Sequence, residues 1–112
     1  MYLVGAMERD CGSSRRELKV DGGASRDHFL MQFQADMLAK PVLRPVIRDT
    51  TALGAAYLAG LAVGVWRDTD ELRRLWRCDT AFHPSMQDDK RLTLARGWHQ
   101  AVGRSLDWVE HE

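Results

Sequence analysis

Net charge is the first thing this sequence lacks: sixteen Lys and Arg are balanced by sixteen Asp and Glu among 112 residues. Such a balance favours neither a nucleic-acid backbone nor an anionic membrane as partner, and no basic patch interleaved with aromatics stands out. Cysteine is scarce. Cys11 and Cys78 lie far apart, match no Cys-x-x-Cys spacing and come without a signal peptide, so two reduced thiols in a cytoplasmic protein are expected instead of a disulfide. A long hydrophobic run is missing too. Residues 52–66 are the most apolar stretch, but a membrane span needs about 20 residues, and this one is crowded with Gly and Ala. It reads as a buried helix.

Catalytic constellations are equally thin. His28, His83, His99 and His111 show no metal spacing, and Asp88-Asp89 reads as the charged first turn of a helix and not as a ligand pair. No Ser/His/Asp or Cys/His arrangement for nucleophilic catalysis stands out. A chain of this length makes at most one domain, able to bury roughly 65% of the surface it exposes when unfolded.

What is present is an alternation of short strands and helices. Residues 2–11 carry a short helical pattern with Gly12 as its C-cap glycine. Residues 17–20 read as a strand. Ser25 is the expected N-cap of a helix whose apolar stripe is Phe29, Leu30, Phe33, Met37 and Leu38, with Gln32, Gln34 and Asp36 on or beside its polar face in structural roles. Lys40-Pro41 stops that helix and residues 42–44 form a second strand, parallel to the first because a helix joins them. Thr50 or Thr51 then caps a helix over residues 52–63, apolar on nearly all sides, with Gly64 as its left-handed cap. This helix is expected to be the most buried element, so that Gly54→Leu would overpack it at a cost of about 1 to 3 kcal/mol. A solvated short helix begins near Thr69, residues 76–82 are extended, and Ser85 caps a final helix over residues 86–109 with Leu94, Trp98, Ala101, Val102, Leu106 and Val109 as its stripe.

The stretch that can carry chemistry is Leu18-Lys19-Val20-Asp21-Gly22-Gly23-Ala24-Ser25-Arg26-Asp27-His28-Phe29. Paired glycines permit positive φ angles and let a ligand approach the main-chain N–H groups with no Cβ in the way. A helix starting just after them would present its free N–H groups and the positive end of its dipole to the same space, which suits an anion or a polar ribose. Plain strand-to-helix punctuation fits the same residues equally well. No Gly-Lys-Ser/Thr of a Walker loop follows, and the Gly-x-Gly-x-x-Gly spacing is absent.

Three runs together go further. Residues 18–24, Phe29-Leu30-Met31-Gln32-Phe33-Gln34-Ala35-Asp36-Met37-Leu38 and Thr50-Thr51-Ala52-Leu53-Gly54-Ala55-Ala56-Tyr57-Leu58-Ala59-Gly60 resemble, in order and spacing, the C-terminal part of the glycerol kinases. These belong to the wider group of carbohydrate kinases built on the actin-like ATPase fold. Phe82-His83-Pro84-Ser85-Met86 and Gly97-Trp98-His99-Gln100-Ala101-Val102 extend the resemblance towards the chain end.

The resemblance implies an α/β fold: a partial actin-like ATPase (ribonuclease H-like) C-terminal domain with a βαβα core of parallel strands plus C-terminal helices. It implies that residues 1–112 are the C-terminal part of a nucleotide-binding domain without its N-terminal domain, and that the first helix starts upstream of Met1. It also implies that Asp-Gly-Gly-Ala is the adenosine motif of an ATP site, with Gly22, Gly23, Ala24 and Asp27 touching ATP or ADP. Asp27 departs from the family's Asn and cannot donate an amide N–H. The residues that hold the phosphates, Mg²⁺, the catalytic base and glycerol precede this segment in the family, so no metal ligands are expected here and the chain alone is expected to be inactive. A fragment of a related sugar kinase is the alternative, as is a non-catalytic module that pairs with kinase chains. A homo-oligomer or a complementing kinase fragment would be the partner, through a strand edge and two helix faces left exposed.

Overall fold

The structure, a computed structural model, describes residues 2–110. In chain order the elements are α1 (Tyr2–Cys11), β1 (Leu18–Lys19), a 3-10 turn (Gly23–Arg26), α2 (His28–Leu38), β2 (Val42–Pro45), α3 (Thr50–Ala62), α4 (Thr69–Leu75), β3 (Cys78–Phe82) and α5 (Asp88–Ser105). The expected upstream extension of the first helix and His111 lie outside the described residues.

β2 is the centre of a three-stranded sheet of order β1-β2-β3. β1 lies parallel to it, Leu18 opposite Val42, as a helical crossover requires. β3 lies antiparallel, Phe82 opposite Val42, and its ladder slips between Arg44 and Pro45, where the proline has no N–H to give. The extended character of residues 78–82 follows from the sequence; their pairing partner does not.

The core is small. Met31 and Ala35 of α2 pack on Val42 and Phe82, with Leu18, Val20 and Leu30 partly buried around them. The stripe expected on α2 is therefore corrected: Phe29 is 81% exposed, and its ring stacks on that of Phe33, away from the sheet. This helix is apolar on two faces, and periodicity alone does not tell which one the sheet takes.

Helix α3 is a second correction. It was expected to be the most buried element, yet only Gly60 is buried, and Leu58 and Val63 are open to solvent. A Cβ on Gly54 would meet nothing within 4 Å, so the overpacking expected there has no neighbour to act against. Gly60 is the tight position, its would-be Cβ falling 2.3 Å from Nε1 of Trp66. A helix apolar on every side needs cover on every side, and the described residues supply it on one.

The caps shift as well. Gly12 and Gly64 do take the left-handed conformation, at φ 66° and 83°. Asp49, not Thr50 or Thr51, caps α3 by accepting the Ala52 N–H at 3.2 Å. Helix α5 begins at Asp88 with Gln87 as an N-cap that makes no side-chain bond, and Asp88 and Asp89 occupy its first turn. Ser85 turns back towards α2 instead, and Leu106 and Val109 lie exposed beyond the helix. An apolar groove of about 700 Å³ separates α5 from α1 and α2, lined by Leu3, Phe33, Met37, Leu94, Trp98 and Ala101.

The molecule is open as a result. Its accessible surface is 8758 Å², where a compact monomer of this mass exposes about 6,300 Å². About half of the unfolded chain's surface is buried, less than its length suggests.

Candidate functional site: the glycine turn and its cleft

Strand β1 delivers the chain to the turn through Val20, whose N–H donates to the Leu43 carbonyl at 3.0 Å. Gly22 follows with φ 82° and ψ 179°, a backbone conformation that a side chain would strain. Its N–H donates to the Arg48 carbonyl at 3.0 Å, which ties the turn to the segment entering α3. Its own carbonyl accepts the Ser25 hydroxyl at 2.6 Å and the Ser25 N–H at 3.2 Å. Ser25 is thereby buried inside the 3-10 turn, and the N-cap role expected of it passes to Asp27, whose Oδ1 accepts the Leu30 N–H at 3.1 Å. The inserted turn moves the helix start two residues on.

Behind the turn stands Arg44, 3% exposed. Its guanidinium donates to the Ser25 carbonyl at 3.2 Å, to the Thr80 hydroxyl at 3.1 Å and to Asp79 at 3.1 Å, and lies 5.3 Å from the centre of the Phe82 ring. Arg48 reaches the same Asp79 oxygen at 3.3 Å. Arg44, Arg48 and Asp79 escaped the sequence reading. The one available signal was an arginine inside a strand otherwise made of Val, Leu and Pro.

In front of the turn is a cleft of about 240 Å³ lined by Asp21, Gly22, Gly23, Arg26, Arg48, Asp49, Thr50 and Thr51. Of the four residues expected to touch a ligand, it brings together Gly22 and Gly23; Ala24 and Asp27 lie outside its lining. Among the described residues, apart from each glycine's own chain neighbours, no heavy atom lies within 4 Å of where a Cβ on either glycine would sit, so the main chain is open to close approach. The start of α3 faces the same space and makes it favourable for negative charge. Asp21 is engaged by the Thr50 hydroxyl and Asp49 by its capping bond. Among the described residues no group of three or more His, Cys, Asp or Glu could hold a metal ion. The volume falls below the roughly 300 to 1,000 Å³ of self-sufficient small-molecule sites.

Residues 1–63 match the C-terminal domain of the FGGY family of carbohydrate kinases, and the chain belongs to that family. Its fold is part of the actin-like ATPase (ribonuclease H-like) architecture of those kinases.

Within the family it is similar to glycerol kinases. It is 62% identical over 107 residues to the glycerol kinase of Dechloromonas aromatica (strain RCB), covering 96% of this chain and 21% of that protein. With the glycerol kinase of Alkaliphilus oremlandii (strain OhILAs) it shares 56% over 108 residues, again 96% and 21%. The structure superposes on the Plasmodium falciparum glycerol kinase crystallised with ADP with a TM-score of 0.79 at 34% identity, over 96% of this chain and 22% of that one. A xylulose kinase of Lactobacillus acidophilus, at 20% identity and TM-score 0.69, shares the fold. The chain thus spans about a fifth of the length of the curated relatives it matches. Among the described residues no helix is long and apolar enough to cross a membrane.

Proposed function

We propose that residues 1–112 are part of the nucleotide-binding domain of a glycerol kinase, and that the Gly22-Gly23 turn is the adenosine-side wall of its ATP site. The observation that carries this is the open main chain at the two glycines, facing the start of α3, in a chain 62% identical to a glycerol kinase. Gly22 and Gly23 would let the nucleoside lie against the backbone, while Ala24 and Asp27 would meet it from the shoulder of the turn. ATP supplies the phosphoryl group when bound. The chain's own part is to hold and orient the nucleotide, with Asp21 and Asp49 engaged in local hydrogen bonds. Mg²⁺, the base and glycerol itself belong to other parts of the enzyme in this reading. A cytoplasmic setting accords with two free, exposed cysteines.

ADP titration followed at the Gly22 and Gly23 amides tests the reading. Gly23 has an ordinary φ and open space at its Cβ position, so Gly23→Val should leave the helical spectrum unchanged while filling the cleft and abolishing the ADP response. Asp27→Asn should keep the helix cap, since Asn caps as well as Asp, and strengthen binding by adding an amide donor and removing a negative charge. Equal loss of fold and binding in Gly23→Val would reduce the turn to punctuation.

A further inference from the structure

A second concavity, of about 520 Å³, lies where the end of β2 meets α3, α4 and the approach to β3. That volume is within the range of self-sufficient small-molecule sites, about 300 to 1,000 Å³. Its walls are apolar: Val46 and Ile47 beyond β2, Leu53 and Tyr57 of α3, Leu72 of α4 and Trp76 after it. Val46 and Ile47 remain 58% and 53% exposed, so these walls are open to an occupant. The Val46 N–H donates to the Arg77 carbonyl at 3.0 Å, which carries the pairing of β2 with β3 past its slip and fixes the backbone of Arg77 beside the concavity.

The charge in the lining is of one sign. Lys19, Arg73 and Arg77 take part in it and no Asp or Glu does. Arg73 is paired with Asp70 at 3.1 Å and adds no net charge. Lys19 and Arg77 have no carboxylate partner among the described residues. The ammonium of Lys19 lies 4.4 Å from the centre of the Trp76 ring, an attraction that leaves its charge in place. The guanidinium of Arg77 donates to the Arg74 carbonyl at 2.6 Å and the Trp76 carbonyl at 3.3 Å, both neutral. Uncharged polar groups are few. Of the two hydroxyls in the lining, that of Thr50 is given to Asp21, which leaves that of Tyr57. A sugar or a nucleotide would lay its own hydroxyls against such walls without partners. An apolar body with one anionic end would not.

We propose that this concavity binds a monocarboxylate with an apolar body, the carboxylate taken by Lys19 and Arg77 and the body lying against Leu53, Tyr57, Leu72 and Trp76. The site contains neither glycine of the turn, and the inference does not rest on the nucleotide reading.

The test titrates octanoate and octan-1-ol into the 112-residue chain by calorimetry, with the tryptophan indole N–H signals followed by nuclear magnetic resonance and far-UV spectra to establish folding. An ion pair open to water contributes up to about fivefold in affinity. Octanoate should shift the Trp76 indole signal and bind about tenfold more tightly than the uncharged alcohol, and added salt should weaken octanoate alone. Lys19→Gln and Arg77→Gln should each weaken octanoate by about threefold to fivefold and leave octan-1-ol unchanged, while Lys19→Arg should retain binding. Val46→Asp, at an exposed position, places a carboxylate in the lining and should abolish octanoate binding without loss of helical signal. Equal affinities for acid and alcohol, or octanoate affinity unchanged in both Gln variants, would overturn the charged end of the site. A response at Trp98 in place of Trp76 would move binding to the groove between α1, α2 and α5 and overturn the location. Folded protein that gives neither heat nor shift with octanoate would overturn the proposal outright.

Discussion

Asp36 fastens the segment after β3 to α2. It is buried, and its Oδ1 accepts the Ser85 N–H at 2.7 Å, the Gln32 side-chain amide at 3.0 Å and the Met86 N–H at 3.2 Å. Gln32 completes the clasp by donating to the His83 carbonyl at 2.8 Å. Burial by itself would raise the carboxyl's pKa, but the hydrogen bonds from Ser85, Gln32 and Met86 outweigh it and hold the group below its ordinary 3.8. A folded-state pKa below the unfolded one gives stability that is present above about pH 4 and is lost as the pH falls through the folded value. Acid titration of the circular dichroism signal should show this loss, and Asp36→Asn should flatten it. At neutral pH Asp36→Ala strands the Ser85 and Met86 N–H groups and should cost about 2 to 3 kcal/mol in urea unfolding. A cost near zero would mean that water replaces the carboxylate.

Helix α3 shows how one element can be apolar throughout and yet packed at one point. Trp66 folds back against Gly60, and its ring meets that of Tyr57 edge-on at 5.8 Å. Gly60→Ala must displace that indole, so it should destabilise the chain by about 1 to 3 kcal/mol and change the tryptophan emission. Gly54→Ala has open space and relieves the entropy cost of a helical glycine, for a gain of about 0.5 to 1 kcal/mol. Thermal melts of the two variants should move in opposite directions. The same direction in both would mean that Gly54 has a neighbour that this arrangement does not contain.

For the whole molecule, the radius of gyration is 18.3 Å, against about 13 Å for a compact chain of this length. Leu3, Phe29, Leu58, Val63, Leu92 and Trp98 are among the large apolar side chains left exposed, and the groove between α1, α2 and α5 is unfilled. Among the described residues β1 and β3 each pair on one side only. Apolar surface of this extent promotes association, so sedimentation velocity should show mass rising with concentration in the micromolar range. Leu94→Glu, placed in the groove, should shift the equilibrium back towards monomer. A single monomeric species at every concentration would contradict this.

The sequence by itself determined the order of elements, the glycine turn, the left-handed glycines after α1 and α3 and the parallel pairing of β1 with β2. All of these depend on near neighbours: backbone freedom at glycine, the missing N–H of proline, and a helix too long to join antiparallel strands. It also carried the family resemblance through three motifs. Tertiary structure alone decided the rest. Which face of α2 meets the sheet depends on where β2 lies, and the caps moved to Asp27 and Asp49 because a 3-10 turn and a sharp entry into α3 reset the helix starts. The antiparallel place of β3 brings Asp79, thirty-five positions on, to Arg44 and then to Arg48. No local pattern marks a charge pair that two distant strands assemble, and so the arginines of the cleft emerged only once the chain was folded.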